Sequence, residues 1–433
     1  MSRNVSSQLE GYLPQQILKL ARDAGEKASE LGQELYLVGG VVRDLFLGRA
    51  NFDFDLVVEG DAIRLAQELA KDSQAKLTVH PRFGTAKLSY TDFSLDLATA
   101  RCETYSKPGA LPAVRPGSLK DDLIRRDFSI NAMALCLAPQ RFGELLDLYN
   151  GKNDLDNEVI RILHPNSFID DATRILRGLR YEQRLCFRLE RKTAELLRRD
   201  AAMLDTISGD RIRHELELIL KEHQPERVLR RADELGVLSK LHPSLKGNGW
   251  LSERFDQARR LYKRTSPSPL YLCLLIYNLT ERENEQFLSR LNFPKRLAQA
   301  MRHTLQLKAQ LHSLANPQLK PSDIYQSLRT YTTHAIQTNA LASESPVASR
   351  HLQLYLAKLR YVKPLLDGED LQRMGVPPGP QLGKILEALH EARLNGEVKT
   401  REEEERLVHS WLKASVSPLS PGQKSKVKGQ NAR

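Results

Sequence analysis

Two aspartates stand one residue apart within an apolar run at residues 52–58 (FDFDLVV). Because successive side chains of a β-strand alternate between its faces, Asp53 and Asp55 are expected to point to the same side. Two carboxylates this close repel each other, and a shared divalent cation removes that cost. Mg²⁺ in particular prefers a few carboxylates together with water and substrate phosphates. By itself, the spacing is equally compatible with a strand whose polar face meets solvent.

A third carboxylate has the same setting. Asp96 stands between two leucines in residues 93–99 (FSLDLAT) and is expected on a neighbouring strand. Three carboxylates on adjacent strands are typical of two-metal phosphoryl transfer. In that chemistry one ion lowers the pKa of the attacking hydroxyl, and the other holds the triphosphate and the leaving group. The three aspartates are therefore candidates for both catalysis and metal binding.

A glycine pair precedes these aspartates in residues 37–44 (LVGGVVRD), which read as a strand end, a turn and a helix start. Paired glycines allow close backbone approach, and the free N–H groups at a helix N-terminus bind phosphate. Arg43, one turn into the helix, adds a charged donor. Because Gly40 precedes Asp53 by thirteen residues, the two features together predict a nucleotide site.

The elements that would position these residues divide the chain into two parts. Up to about residue 148, apolar runs of strand length alternate with amphipathic stretches, which indicates an α/β or α+β domain. From about residue 167 onward, helical periodicity recurs between Gly, Pro and Ser breaks. The tail at residues 416–433 lacks apolar periodicity and carries basic residues, so it is expected to be disordered.

Composition narrows the class of partner. The 433 residues include 65 Lys and Arg against 54 Asp and Glu, a net charge of +11, which suits nucleic acid before membrane. No apolar run approaches the roughly 20 residues that span a bilayer, and the N-terminus lacks the apolar core of a secretory signal. The four cysteines lie far apart, without metal-ligand spacing. A cytoplasmic protein without a zinc site, a disulfide framework or a membrane partner is therefore expected.

Five segments of the chain follow the motif order of class II tRNA nucleotidyltransferases, the bacterial CCA-adding enzymes and their poly(A) polymerase relatives in the polymerase β superfamily. They are residues 39–44 (GGVVRD), 52–58 (FDFDLVV), 94–105 (SLDLATARCETY), 125–135 (RRDFSINAMAL) and 170–187 (DDATRILRGLRYEQRLCF). The chain thus resembles this family. The resemblance implies an α+β fold, with a polymerase-β-like nucleotidyltransferase head built on a small mixed sheet, followed by an all-α neck, body and tail.

The resemblance also implies roles for individual residues. Asp53, Asp55 and Asp96 match the family's catalytic, metal-binding carboxylates. The nucleotide-binding positions that match are Gly40, Arg43 and Arg126 for the phosphates, Asp127 and Asn131 for the ribose, and Asp171 and Arg174 for the base, followed by Arg177 and Arg180.

The base-reading residues have a physical logic of their own. Asp171, Arg174 and Arg177 read as positions i, i+3 and i+6 of one helix, with Arg180 at i+9. A carboxylate accepts from an exocyclic amino group, and a guanidinium donates to a ring nitrogen or carbonyl. On the Watson–Crick edge, cytosine and adenine both offer an amino group beside an acceptor, whereas guanine and uracil offer the wrong pattern there. An ordinary basic helix face with one salt bridge would carry the same residues.

The resemblance places the head at residues 1–160, a neck that binds the base and RNA at residues 161–245, and a tRNA-binding body and tail at residues 246–415. It implies template-independent addition of CCA to tRNA 3′ ends, from CTP and ATP with Mg²⁺. The Pro- and Gly-rich segment 103–127 differs from the common CCA-adding form and is closer to some A-adding and poly(A)-polymerase-like members. Addition of A only or of CC only, a poly(A) polymerase activity, and a non-catalytic RNA-binding role therefore stay open.

Overall fold

The computed structural model describes residues 3–50, 54–71, 73, 75–91, 93–110, 112–262 and 268–415. Asp53 and the tail at residues 416–433, which was expected to be disordered, lie outside the described residues. The chain divides into two compact units, Met1–Ala298 and Gln299–Arg433. The domain boundaries expected at residues 160 and 245 both fall inside the first unit and remain predictions. Across the described part of the chain, no helix combines the length and apolar character needed to cross a membrane.

The strands belong mainly to one mixed sheet. They are β1 (Arg3–Asn4), β2 (Glu34–Val38), β3 (Phe54–Glu59), β4 (Lys76–His80), β5 (Thr85–Ser89), β6 (Ser94–Thr99), β7 (Arg101–Thr104), β8 (Ala113–Pro116), β9 (Ala134–Cys136), β10 (Glu144–Leu146), β11 (Val159–Ile160) and β12 (Arg188–Leu189). Within the described residues, eight strands form this sheet in the order β1-β10-β9-β2-β3-β6-β5-β4. Only β3 and β6 pair in parallel there, so the predicted mixed sheet is confirmed.

In the part of the chain that the structure describes, five helices lie between the strands of the sheet, and the others follow it, which confirms the α+β class. They are α1 (Ser6–Tyr12), α2 (Gln15–Glu30), α3 (Gly40–Leu47), α4 (Ala62–Lys71), α5 (Leu119–Ile124), α6 (Gly151–Asp156), α7 (Ser167–Asp170), α8 (Thr173–Leu185), α9 (Arg191–Asp200), α10 (Gly209–Ile219), α11 (Pro225–Glu234), α12 (Leu238–Leu241), α13 (Gly249–Leu261), α14 (Ser268–Leu275), α15 (Glu281–Leu291), α16 (Lys295–Leu314), α17 (Pro321–Leu328), α18 (Thr333–Ala342), α19 (Pro346–Ala357), α20 (Gly368–Arg373), α21 (Pro380–Leu394) and α22 (Arg401–Ser415). One short strand interrupts the expected all-helical part, because Cys186 adopts a left-handed conformation (φ 61) that ends α8. The chain then turns, and β12 pairs with β11.

Side chains alternate between the two faces of a strand, so the outer half of the sheet (β3, β6, β5 and β4) has one apolar and one polar face. Phe54, Leu95 and Leu88 occupy neighbouring positions on β3, β6 and β5, and all three are buried. Helix α4 covers this apolar face, and its first N–H group, at Ala62, bonds Thr99 of β6 at 3.2 Å. The next position along each strand points to the opposite face, where Asp55 lies. The apolar face thus anchors the sheet and leaves the other face for polar side chains.

The second unit contains a fully buried carboxylate. Glu404 on α22 is 0% exposed and accepts hydrogen bonds from the backbone N–H groups of Leu365 and Leu366, both at 2.9 Å. Arg393 on α21 donates to the same carboxylate at 2.8 Å. Loss of this carboxylate would leave a guanidinium and two amides without their acceptor in a region sheltered from water.

We therefore expect Glu404→Ala to lower the free energy of unfolding by about 3 kcal/mol, as for other buried pairs that lose one partner. The measurement is urea denaturation followed by Trp411 fluorescence in a Trp250→Phe background. The control is Glu405→Ala, because Glu405 is half-exposed and pairs with Arg401 on the surface, where a loss of about 0.5 kcal/mol or less is usual. Equal losses in the two variants would contradict the role of Glu404 as a buried acceptor.

Candidate active site

The turn between β2 and α3 brings the backbone close to two charged side chains. Gly39 has φ 80 and ψ −138, a conformation that favours glycine. A Cβ atom added at Gly39 would lie 3.1 Å from Arg126 Nη1 and 3.6 Å from Asp55 Oδ2. Gly40 follows as the first residue of α3, where backbone N–H groups lack intrahelical acceptors. The backbone conformation of this turn therefore requires glycine at position 39, whereas the sequence prediction named Gly40 as the binding residue.

Two of the three predicted carboxylates lie side by side. Asp55 on β3 and Asp96 on β6 are direct partners in the parallel register of these strands. Asp96 Oδ2 accepts a hydrogen bond from Lys87 Nζ on β5 at 2.8 Å. Asp53 is not among the described residues, and within those residues no group of three or more His, Cys, Asp or Glu side chains is arranged to hold a metal ion.

A cavity of about 680 Å³ opens beside Asp55. The residues predicted from the sequence that line it are Gly40, Arg43, Asp55, Arg126, Asp127, Asn131, Asp171, Arg174 and Arg177. Arg180 is not among the lining residues. Its guanidinium is buried and lies 3.3 Å from Glu215 Oε2 and 3.6 Å from Glu222 Oε1. The structure thus brings most of the predicted nucleotide-binding residues together around one space.

Asp96 lines a second cavity, of about 400 Å³. This second cavity shares Asp55, Arg125 and Arg126 with the first. Asp55 therefore stands at the boundary between two adjoining spaces, and its partner Asp96 lines only the smaller one.

A buried network forms one wall of the larger cavity. Asp127 accepts from Asn131 Nδ2 at 3.0 Å through one oxygen and from Arg177 Nη2 at 2.7 Å through the other. Arg43 donates to Asn131 Oδ1 at 2.7 Å and makes two bonds to Asp44. Burial alone would raise the pKa of Asp127, but Arg177 and Asn131 outweigh burial and hold that pKa below its ordinary value. Asp127 is therefore a charged, fully bonded support.

A second buried carboxylate supports the two consecutive arginines. Asp122 on α5 is 0% exposed and accepts from Arg125 Nε at 3.0 Å and from Arg126 Nη2 at 2.9 Å, through different oxygens. Burial would raise the pKa of Asp122, but Arg126 and Arg125 together hold it below its usual range. Glu103 adds a further contact, 3.1 Å from Arg125 Nη1. Both arginines are thus fixed where the two cavities meet.

Asp171 does not lie on the helix that the sequence predicted for it. It follows the short helix α7 with an extended backbone (φ −139, ψ 100), and α8 begins only at Thr173. The break arises because Asp171 Oδ1 accepts from the Thr173 N–H at 2.9 Å, a side-chain bond that competes with helix continuation. Arg211 on α10 donates to the same oxygen at 2.7 Å. Among the described residues, Asp171 Oδ2 accepts no hydrogen bond.

Arg174 is held by groups other than Asp171. Its Nη1 donates to Ser167 Oγ at 2.8 Å, and its Nη2 donates to the backbone carbonyl of Arg125. No ion pair joins Arg174 to Asp171 in the described part of the chain, so the i, i+3 salt bridge of an ordinary helix face is absent there. Both side chains line the larger cavity.

Several residues of the site were missed by the sequence prediction. They are Gly39, Glu103, Tyr105, Asp122, Arg125, Arg184 and Arg211. Asp122 had a readable signal, since it precedes the two arginines by three and four residues, the spacing of neighbours on a helix. Arg211 had none, because it reaches Asp171 across 40 residues of sequence.

Three family models match the chain. The Poly A polymerase head domain matches residues 35–161. The family described as a probable RNA and SrmB-binding site of polymerase A matches residues 186–247. The tRNA nucleotidyltransferase domain 2 matches residues 265–408. The smaller cavity lies within the first of these matches, whereas the larger one is also lined by residues after it, up to Arg211 in the second match.

Two curated relatives are A-adding tRNA nucleotidyltransferases. That of Geobacter sulfurreducens is 34% identical over 94% of this chain, and the chain spans only 48% of its length. That of Halalkalibacterium halodurans is 36% identical, over 89% of this chain and 90% of the relative. The second match therefore extends over nearly the full length of both proteins.

A solved structure gives the same result for the fold. The Thermotoga maritima CCA-adding enzyme complexed with tRNA is 32% identical to this chain, with a TM-score of 0.78 over 95% of this chain and 99% of that one. These matches confirm the resemblance found in the motifs. The chain belongs to the tRNA nucleotidyltransferase family.

Proposed function

We propose that this chain extends the 3′ end of tRNA, and that it incorporates the terminal A from ATP. The observation that carries the proposal is the single cavity in which the start of α3, Asp55, Arg126 and the Asp171–Arg174 pair face one another. Phosphate, reacting-group and base contacts are thereby available to one nucleoside triphosphate. The relatives named above, one CCA-adding and two A-adding, all incorporate A by their names, which favours ATP as a substrate.

The triphosphate binds between the helix start and the arginines in this proposal. Backbone N–H groups at Gly40 and its neighbours carry the positive end of the α3 dipole. Arg126 lies against the Gly39 turn, and its partner Asp122 orients it without consuming all of its five N–H donors. Preorganised donors of this kind stabilise the charge that develops on the phosphates and need no rearrangement during the reaction.

The carboxylates fit a divalent cation, and we propose Mg²⁺. Asp55 and Asp96 present hard oxygen donors on neighbouring strands, the ligand type that Mg²⁺ prefers; Asp53 is proposed as the third ligand. When bound, such an ion would lower the pKa of the RNA 3′-hydroxyl and offset phosphate charge. The 3′-oxygen forms a bond to the α-phosphorus of the nucleotide as the bond to pyrophosphate breaks. Lys87 holds Asp96 in place for this task.

The base is read by one carboxylate and one guanidinium. Asp171 Oδ1 is filled by Thr173 and Arg211, so the other oxygen faces the exocyclic amino group of adenine. Arg174 is anchored by Ser167 and retains donors for the ring nitrogen beside that amino group. Adenine and cytosine match this pattern of donor and acceptor, whereas guanine and uracil do not.

The remaining predicted residues support the nucleotide's sugar side in this proposal. Asp127 and Asn131 stand at the cavity wall between Arg43 and Arg177, where the resemblance expects ribose recognition. Arg180 acts indirectly in this proposal, because it contacts Glu215, which also contacts Arg177.

Addition of the whole CCA sequence is the second candidate function. The observation in its favour is that the Asp171–Arg174 pattern accepts cytosine as well as adenine, and that the Thermotoga maritima neighbour is a CCA-adding enzyme. CTP would then be a second substrate of the same cavity.

Three tRNA transcripts separate the two candidates. They end before CCA, after the first C and after CC, and each is incubated with Mg²⁺ and labelled ATP or CTP. We expect AMP to enter the transcript that ends in CC. CMP in the shorter transcripts together with AMP in the CC-ended one would establish the second candidate. CMP without any AMP, or no incorporation into any transcript, would refute both.

Asp55→Asn should reduce incorporation at least about a hundredfold, because metal-assisted charge stabilisation is worth several kcal/mol in such reactions. Binding of tRNA should be unchanged, since the substitution keeps the size of the side chain. Asp156→Asn is the matched control, because Asp156 is an exposed partner of Lys152 on α6. Incorporation above about a tenth of the wild-type rate in Asp55→Asn would sink the metal assignment.

A carboxamide at position 171 should alter base choice. Asp171→Asn places an N–H donor where the carboxylate accepts, so it suits the carbonyl of hypoxanthine in ITP better than the amino group of adenine. We expect the ratio of kcat/KM for ITP to that for ATP to rise at least about tenfold, the value of one hydrogen bond exchanged. Asp171→Ala should lose ATP use without any gain with ITP. An unchanged ratio in Asp171→Asn would argue against base reading by this residue.

A further inference from the structure

The polar face of the sheet continues beyond the two carboxylates to the sheet edge. Strand registers join Asp55 to Asp96, Asp96 to Lys87, and Lys87 to Thr78, across β3, β6, β5 and β4. Because every second residue of a strand points to the same side, further residues share this face. The outer sheet face, as we call it, consists of Lys76, Thr78, His80, Thr85, Lys87, Ser89 and Ser94.

This face is open to solvent at its outer end. Lys76, Thr78 and His80 are exposed, and β4 is the last strand of the sheet. Helix α4 lies on the opposite, apolar face, as its bond to Thr99 shows. An antiparallel sheet with one covered and one free face usually carries a plain polar surface, so openness alone assigns no ligand.

The chemistry of the outer sheet face is more specific than a plain polar surface. Its members are hydroxyl, ammonium and imidazole groups, and the described segment 75–91 that supplies β4 and β5 contains no Asp or Glu. The turn between these strands carries Arg82 and Phe83. Phe83 as a residue is 53% exposed, and its ring centroid lies 5.7 Å from the Arg82 guanidinium carbon. Exposed aromatic rings beside positive charge are typical of surfaces that bind single-stranded nucleic acid.

The outer sheet face is also continuous with the candidate active site. His80, Thr85 and Lys87 line the smaller cavity together with Asp55 and Asp96. The distance from β6 across β5 to β4 is about 10 Å at the usual spacing between strands. A strand of RNA whose 3′-hydroxyl meets the carboxylates therefore has a path along hydroxyl and ammonium donors that leads away from the nucleotide cavity.

We propose that the outer sheet face binds the unpaired 3′-terminal strand of the tRNA, with Lys76, Thr78 and His80 donating to its phosphates and Phe83 stacking on a base. The proposal rests on the proposed function, which makes tRNA the substrate. Phosphate contacts of this kind set the position of a nucleic acid and not its sequence. The face thus guides any 3′ end, whichever nucleotide has just been added.

The test measures binding without turnover, by fluorescence anisotropy with a labelled tRNA transcript that ends in CC. Lys76→Ala with His80→Ala should weaken binding about tenfold and reduce the salt dependence of log Kd by about 0.7 for each phosphate that the variant no longer neutralises. Phe83→Leu should weaken binding about threefold to tenfold. The control is Lys71→Ala, because Lys71 is an exposed lysine on α4, on the other side of the sheet, and pairs with Glu68.

A second transcript that lacks the unpaired 3′ nucleotides identifies the part of the RNA involved. The double variant and the wild-type chain should bind this shorter transcript equally well. Equal weakening with both transcripts, or no difference from Lys71→Ala, would overturn the proposal. Self-association of the wild-type chain that Phe83→Leu abolishes would also overturn it, because the strand edge would then be a protein interface. Because anisotropy requires no catalysis, a wild-type chain that adds no nucleotide refutes the proposed function alone.

Discussion

The parallel pairing of β3 with β6 is the constraint on which the rest of the site depends. It sets Asp55 beside Asp96, and the antiparallel register of β2 with β3 sets Val38 opposite Asp55. The chain leaves β2 at Val38, so the Gly39 turn and the start of α3 stand next to the carboxylates. A slip of one residue in β3 would turn Asp55 to the apolar face and Leu56 to the site. The buried leucines on that face therefore protect the register of the carboxylates.

Buried carboxylates hold the arginines of the site in position. Asp122 supports Arg125 and Arg126, and Asp127 supports Arg177. Each carboxylate keeps a lowered pKa in spite of burial, so each remains charged and the guanidinium beside it stays oriented. Without these carboxylates, the guanidinium groups would repel one another, and they would have to rearrange when a triphosphate bound. The buried carboxylates neutralise the arginines on the side away from the cavity. The N–H donors that face the cavity are therefore oriented before a ligand binds, which is the condition for electrostatic preorganisation.

Local periodicity explains which features the sequence predicted. Strand alternation is enough to place Asp55 and Asp96 on one face, and the position of the glycine pair is enough to place a helix start beside them. Whether the first or second glycine needs a positive φ depends on the exit angle from β2, and the sequence does not encode that angle locally. Asp171 was wrongly placed on a helix, because its side chain bonds the Thr173 N–H and Arg211, which is 40 residues distant. The contact between Asp171 and Arg211 depends on how α8 and α10 pack together, and no pattern near Asp171 in the sequence predicts it.

Arg125 connects two parts of the larger cavity's wall. Its side chain shares Asp122 with Arg126, and its backbone carbonyl accepts a hydrogen bond from Arg174. A shift of Arg174 would therefore break or strain its bond to the segment that carries Arg125 and Arg126. The support is rigid, since Asp122 is buried and α5 is capped at Ser118 through the side chain of Asp121. In the proposed function, the base contact and the triphosphate contact thus share one anchor at Arg125.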